Sequence, residues 1–293
     1  MATVKDSIPH VIRTAEDHRQ QGIWTARLSK IDQVNSKIRL LRLSLPKDGV
    51  GQYIDLYIPN IDVVGGFTIT SPPQASSQSQ EDPHIELAIQ DSPSNPPAAY
   101  LWRPKSEILD STVSFKVGGN FVYPPPTFDR GKCERIKRAV FIAGGVGINP
   151  IMSMISAMHE AGANRLGGMV QEVRVLYSAR PEKQTDTGEV EEILFANRLR
   201  DIADQWKGHK HVSLHFKQFI TGGTSEMSDS GAQPIRGRRI SKHDLEDALG
   251  PAAQRENTVV YVCGLPTMTD DFVEWLKKAP GMDGKRVLCE KWW

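Results

Sequence analysis

Few local sequences restrict a fold as tightly as Gly144-Gly-Val-Gly-Ile-Asn-Pro150 in its setting. Ala139-Val-Phe-Ile-Ala143 before it is short and continuously apolar, as a strand buried on both faces of a parallel sheet should be. After it, Ile148, Ile151, Met152, Ile155 and Met158 fall at helical spacing. Glycine lets a backbone turn tightly and approach a pyrophosphate with no Cβ in the way. The helix that follows offers unpaired N–H groups and the positive end of its dipole. Pro150 suits a first helical turn, where its missing donor costs nothing. A turn that merely needs small residues would look alike, but the strand and helix on either side favour a dinucleotide. Gly144, Gly145, Val146, Gly147, Ile148, Asn149 and Pro150 are therefore the candidate pyrophosphate loop.

Around this loop strands and helices alternate. Val173–Ser178, Val212–Ile220, Thr258–Cys263 and Lys285–Cys289 read as strands. Val190, Ile193 and Leu194 are expected on one intervening helix, and Met268, Phe272 and Leu276 on another. Ser241-x-x-Asp244 resembles a capping box ahead of Leu245 and Leu249. Such a succession calls for a doubly wound parallel sheet. The Gly- and Ser-rich stretch 221–237 is expected as a surface insertion.

The first part of the chain has a different period. Ile38–Leu45, Tyr53–Ile58, His84–Gln90 and Val113–Val117 alternate apolar and polar residues, broken by Gly65-Gly66, Pro72-Pro73 and the polar stretch 74–82. Many short strands without helical periodicity predict a small antiparallel β-barrel or sandwich. The expected organisation is an N-terminal tail (1–21), a β-barrel domain (22–130) and an α/β nucleotide-binding domain (131–293).

Bulk composition narrows the function. With 36 basic and 35 acidic residues the net charge is +1, which gives no electrostatic ground for nucleic acid or an anionic membrane. No apolar run reaches the length of a membrane span. Three widely spaced cysteines (Cys133, Cys263 and Cys289) form neither a disulfide framework nor a metal site, and exclude a four-cysteine iron–sulfur cluster. The N-terminal residues lack the apolar core of a secretory signal, and with Glu16 and Asp17 are a weak mitochondrial presequence.

Two further segments carry chemistry. Cys263-Gly-Leu-Pro-Thr-Met268 follows a predicted parallel strand, where open α/β sheets place their ligands; its bland reading is a buried cysteine and a turn. Cys289-Glu-Lys-Trp-Trp293 ends on two tryptophans, either a stacking surface for a ring or a hydrophobic plug.

The glycine loop, Cys-Gly-x-Pro-x-Met and aromatic terminus, in that order, resemble the ferredoxin reductase-like family of flavin- and pyridine-nucleotide-dependent reductases. Gly51-Gln-Tyr53 is similar to that family's Gly-Gln turn in the barrel, and Gly237-Arg-Arg-Ile240 to its Gly-Arg segment. The resemblance covers roughly residues 23–293. It implies a reductase with an FAD-binding barrel and an NAD(P)H domain, passing hydride from nicotinamide to flavin and electrons to an acceptor outside the chain. It places Ser178 and Arg180 near the adenosine ribose, and Cys263, Gly264 and Met268 beside the nicotinamide. Phe67 and Thr68, with Thr70 and Ser71 after them, would face the flavin, Thr68 near flavin N5. Trp292 or Trp293 would cover the opposite face of the ring. Thr68, Cys263 and Glu290, the last matching a near-terminal acidic residue, are the expected catalytic set.

One departure matters. The family pattern is Arg-x-Tyr/Phe-Ser/Thr, its arginine pairing the flavin phosphates, and this chain has Gly65 there. A Gly- and Ser-rich second phosphate loop is replaced by Ser94-Asn-Pro-Pro-Ala-Ala99. Losing a charge-assisted phosphate contact weakens affinity, so the rival reading is a non-catalytic NAD(H)-binding or sensing module without flavin. NADH is expected over NADPH, because Arg180 is followed by Pro181 and Glu182, with Lys183 the only other cation nearby in sequence. The resemblance points to mitochondria and the N-terminal composition to the cytoplasm.

Overall fold

The structure is a computed structural model that describes residues 9–45, 52–77, 81–162, 170–181, 191–209, 212–221 and 237–291. The chain divides into two units, the first ending its continuous run at Val122 and the second spanning Tyr123 to Lys291.

In the first unit a helical turn, α1 (His10–Arg13), precedes strands β1 (Trp24–Asn35), β2 (Ile38–Ser44), β3 (Tyr53–Tyr57), β4 (Gly65–Thr68) and β5 (His84–Gln90). Short helices α2 (Pro96–Leu101) and α3 (Lys105–Ile108) lead to β6 (Thr112–Gly118). The strands pair antiparallel in the order β4-β3-β6-β1-β2-β5. Just past β4, Ile69 bridges Leu87 of β5, and the Thr70 N–H donates to the Glu86 carbonyl at 2.8 Å, so the two ends of that order meet. Joining the edges removes a row of unpaired backbone groups that would otherwise face water. Inside lie Leu28, Leu41, Ile54, Leu56, Ile85, Leu87 and Phe115, the inward members of alternating strands.

At 12 residues β1 is the longest described strand, yet no alternation in the sequence singles it out. Its register shifts between Leu28 and Lys30 and again between Gln33 and Asn35. Each such irregularity breaks the two-residue period. Residues 9–21, expected as a tail, pack on this sheet. His10 Nε2 and Arg19 Nε hold the two carboxylate oxygens of Asp55 at 2.7 and 2.6 Å, and the Tyr53 hydroxyl donates to Asp17 at 3.0 Å. Burial alone would raise the Asp55 carboxyl; the bonds from His10 and Arg19 outweigh it and hold it below the ordinary carboxylate value.

The second unit starts where the Tyr123 ring packs edge-on against Phe141 and Tyr261. The division between the two units lies at 122/123. Its elements are α4 (Arg130–Glu134), β7 (Arg138–Gly144), α5 (Ile148–Ala161), β8 (Glu172–Ala179), α6 (Ala196–Trp206), β9 (Ser213–Ile220), α7 (Lys242–Leu249), β10 (Thr258–Cys263), α8 (Pro266–Lys278) and β11 (Val287–Glu290). The strands are parallel in the order β11-β10-β7-β8-β9. Counted within the unit this is the doubly wound arrangement, and the order reverses between β7 and β10. All six residues of β10 are buried, as befits a strand covered on both faces.

Ser241 and Asp244 do form the capping box that opens α7. The helix expected around Ile193 and Leu194 begins later, at Ala196. Leu194 and Phe195 are buried, and Phe195 turns into α6 at φ 59°. Burial of a loop thus imitated helical spacing, while Val190 lies outside the described residues. So does most of the expected insertion, 222–236.

Candidate nucleotide site

Strands β7 and β10 run side by side, Ala143 opposite Cys263, and both leave the same edge of the sheet into helices α5 and α8. Two loops therefore meet at the reversal of strand order, where open α/β sheets bind ligands. They meet very closely. A Cβ on Gly147 would lie 2.3 Å from the Cys263 carbonyl oxygen, and one on Gly264 would lie 3.0 Å from the Gly144 nitrogen. Met268 closes over both, its sulfur 2.9 Å from where a Gly144 Cβ would be. Packing of loop on loop thus leaves no room for a side chain at Gly147 or Gly264, and at Gly144 one would have to displace Met268.

Gly145 differs from them. It has φ 56°, and nothing lies within 4 Å of the place its Cβ would occupy. Here a ligand can approach bare backbone beside the N-terminus of α5. Ile148, Asn149 and Pro150 are buried in the first turn of α5, so they shape the loop while Gly145 and Val146 face outward. Val146 is 37% exposed, and Leu265 on the opposite loop is 68% exposed. Sequence reasoning passed over Leu265; the available signal was an apolar residue at the variable position of Cys-Gly-x-Pro.

Cys263 is buried at the end of β10, opposite Glu290 at the end of β11. Burial first, then the carboxylate of Glu290 and Cys289, push its thiol well above the ordinary value. A protonated thiol is not a nucleophile, and in that state Cys263 presents a neutral wall or a weak donor. Ser178 stands at the carboxyl edge of β8, opposite Gly144, with Arg180 exposed just beyond. Arg180 also borders a cleft lined by Thr221, Gly237, Arg238 and Arg239.

The expected flavin residues belong to the first unit. Thr68 ends β4 opposite Tyr53 and is buried; Phe67 is half-buried against the sheet core. Thr70 and Ser71 are also buried, and their hydroxyls are used within the sheet. Thr70 Oγ1 donates to the Glu86 carbonyl at 3.1 Å, and Ser71 Oγ accepts from the Glu86 N–H at 3.0 Å. They stitch the extension of β4 to β5. Trp292 and Trp293 lie outside the described residues.

The surroundings of β4 leave little room for the phosphate-pairing side chain of the family pattern. A Cβ on Gly65 would sit 2.5 Å from the Phe67 ring and 2.7 Å from Pro97 Cβ, so a phosphate-pairing side chain has no room to leave that position. A Cβ on Gly66 would strike the His10 ring at 2.1 Å. Helix α2 begins with Pro96 and Pro97, whose nitrogens carry no proton for a phosphate oxygen.

Comparison with known proteins agrees with this architecture. The family model for the oxidoreductase NAD-binding domain matches residues 141–274, from β7 into α8. Oxidoreductase NAD-binding domain-containing protein 1 of Bos taurus is 32% identical over 292 residues, covering 97% of this chain and 85% of the relative. The chain belongs to that family. Its fold is that of the ferredoxin reductase-like proteins. A cytochrome P450 reductase from Amycolatopsis superposes with a TM-score of 0.65 at 19% identity, covering 92% of this chain and 70% of the other. A ferredoxin NADP+ reductase from Neisseria gonorrhoeae, solved with FAD and NADP, gives 0.64 at 16% identity, covering 94% and 100%. No helix among the described residues is long and apolar enough to cross a membrane.

Proposed function

We propose that the second unit binds a nicotinamide dinucleotide across the reversal point between β7 and β10. The observation that carries this reading is the contrast within one glycine loop. Gly144 and Gly147 are consumed by packing, while Gly145 leaves open space at a positive φ beside a helix N-terminus. Its pyrophosphate would lie over Gly145 and Val146, the adenosine toward Ser178 and Arg180, and the nicotinamide toward Cys263, Gly264 and Met268. Titration of the full chain with NADH and NADPH by calorimetry tests this directly. Saturable binding that Gly145→Val abolishes is the expected result; no binding of either nucleotide refutes it.

Because Gly65 leaves no room for a phosphate-pairing side chain and Pro96 and Pro97 offer no N–H, a nucleotide-binding module without resident flavin is the reading the first unit supports. One observation favours a second reading, NAD(P)H-dependent reduction of a flavin that comes and goes. Phe67 and Thr68 stand at the end of β4 in the order the reductase resemblance requires. A colourless purified protein that oxidises NAD(P)H only when riboflavin or FAD is added supports this second reading. A yellow protein that keeps its flavin through dialysis overturns both.

A further inference from the structure

Arg286 stands just before β11, on the amino edge of the parallel sheet, and is only 7% exposed. Its guanidinium makes no hydrogen bond and no ion pair among the described residues, and its Nη1 is buried. A full charge with five N–H donors has thus left most of its water with one aromatic face in return. That face is the half-buried ring of Phe128, whose centroid lies 5.3 Å from the guanidinium carbon. A ring face attracts the cation but leaves the N–H groups in the guanidinium plane unanswered. Cys133 adjoins the same residue, its half-buried thiol donating to the Phe128 carbonyl at 3.8 Å. Burial first, then the Asp129 carboxylate, push that thiol up, while the charge of Arg286 pulls it down.

The carboxylates around this group are engaged elsewhere. Asp129 caps α4, accepting from the Lys132 N–H at 2.8 Å, and pairs with Lys132 Nζ at 3.4 Å. Glu134 pairs with Arg130 at 2.7 Å. The Asp283 carbonyl accepts from the Arg286 N–H at 2.9 Å, but its carboxylate accepts from the Lys285 N–H at 3.0 Å. Each of these bonds joins near neighbours in sequence, so local turns hold all three carboxylates.

We infer that Arg286, stacked on Phe128 and flanked by Cys133, is the binding site of a small carboxylate ligand. A guanidinium is a planar fork that matches the two oxygens of a carboxylate. One positive charge balances a monoanion, and the thiol adds a weak donor toward a group that only accepts. Phe128 and Cys133 are half-buried, so a small ligand reaches the group from solvent. Buried charges in folded proteins are paired, and leaving one unpaired is strongly destabilising. A ligand that completes the pair removes that penalty. The nucleotide loops leave the carboxyl ends of β7 and β10, at the other edge of the sheet, so the two sites are tested separately.

The test is a thermal melt of the full chain in sodium acetate, sodium phosphate and sodium chloride at matched ionic strength. Acetate should raise the melting temperature by about 3 °C for each ten-fold rise above its dissociation constant, and chloride should not. Alkylation of Cys133 by iodoacetamide, read by peptide mass, should slow about ten-fold at ten times that constant. The bound anion would both cover the thiol and cancel the pull of Arg286. Arg286→Met should lose both responses. Without acetate it should melt no lower than the unmodified chain, because an apolar stem replaces an unpaired charge. Arg286→Lys keeps the charge without the fork and should respond more weakly. Equal melts in acetate and chloride overturn the inference, as does Cys133 labelling that acetate leaves unchanged. A rise that Arg286→Met shares is a solvent effect and overturns it too. Phosphate acting at lower concentration than acetate overturns the choice of a carboxylate. If Arg286→Met does not fold, labelling of the unmodified chain decides alone.

Discussion

Glycines in the two units stand against opposite surroundings. In the second unit the space beside Gly145 is open, and neighbouring glycines are consumed only to bring two loops together around it. In the first unit the space beside Gly65 and Gly66 is filled by the chain itself, through Phe67, Pro97 and His10. A glycine in a motif therefore says that something approaches the backbone closely. Whether that partner is a ligand or the protein's own side chains depends on packing. By this measure the glycine loop of the second unit leaves open space at Gly145, and the chain fills the space at Gly65 and Gly66 of the first.

The largest expected effect breaks the second unit. Gly147→Val puts a side chain against the Cys263 backbone, which cannot rotate away, and should cost about 3 kcal/mol or more. A denaturant melt should show that loss together with loss of nucleotide binding. If stability is unchanged, the loops do not pack as closely as described.

In the first unit the corresponding structural element is the clasp around Asp55. Asp55→Asn removes the charge that His10 and Arg19 share, at a cost of about 2 kcal/mol. The same carboxylate sets a pH dependence. Its value is depressed in the folded protein, so its contribution is fully present above the ordinary value near 3.9 and is lost as pH falls through the lower folded value. Acid titration of stability should therefore be flatter in Asp55→Asn below about pH 4; parallel curves would assign the acid sensitivity elsewhere.

Restoring the missing arginine sharpens the comparison further. Gly65→Arg should destabilise the first unit by about 1–3 kcal/mol through overpacking against Phe67 and Pro97, without producing a protein that retains FAD. In the unmodified chain, FAD should bind no more tightly than riboflavin by fluorescence quenching, because position 65 offers the diphosphate no pairing side chain and Pro96 and Pro97 no N–H. A clear advantage for FAD would show that phosphate contacts exist despite Gly65.

The smallest effect falls where space is open. Gly145→Ala meets no neighbour, so its cost is that of a left-handed backbone, about 1 kcal/mol. It should weaken nucleotide binding more than it lowers the melting temperature. A Gly145→Ala variant that binds as the wild type would place the pyrophosphate elsewhere.

The amino-acid sequence by itself determined what short-range pattern can carry. Period-two alternation located β2, β3, β5 and β6, a continuous apolar run located β7, and Ser241 with Asp244 located the start of α7, because each is settled by residues a few positions apart. β1 escaped because its irregularities break the period, and α6 was misplaced because Val190, Ile193 and Leu194 fall at helical spacing although the helix begins only at Ala196. The glycine loop was legible as a loop, but its division into packing glycines and one open glycine was not. That division depends on where β10 lies relative to β7. Tertiary structure alone also turned Thr70 and Ser71 inward to Glu86, and gathered Arg180, Arg238 and Arg239 around one cleft. These outcomes depend on which strands become neighbours, and strand order is set by burial across the whole unit, which no local window of sequence contains.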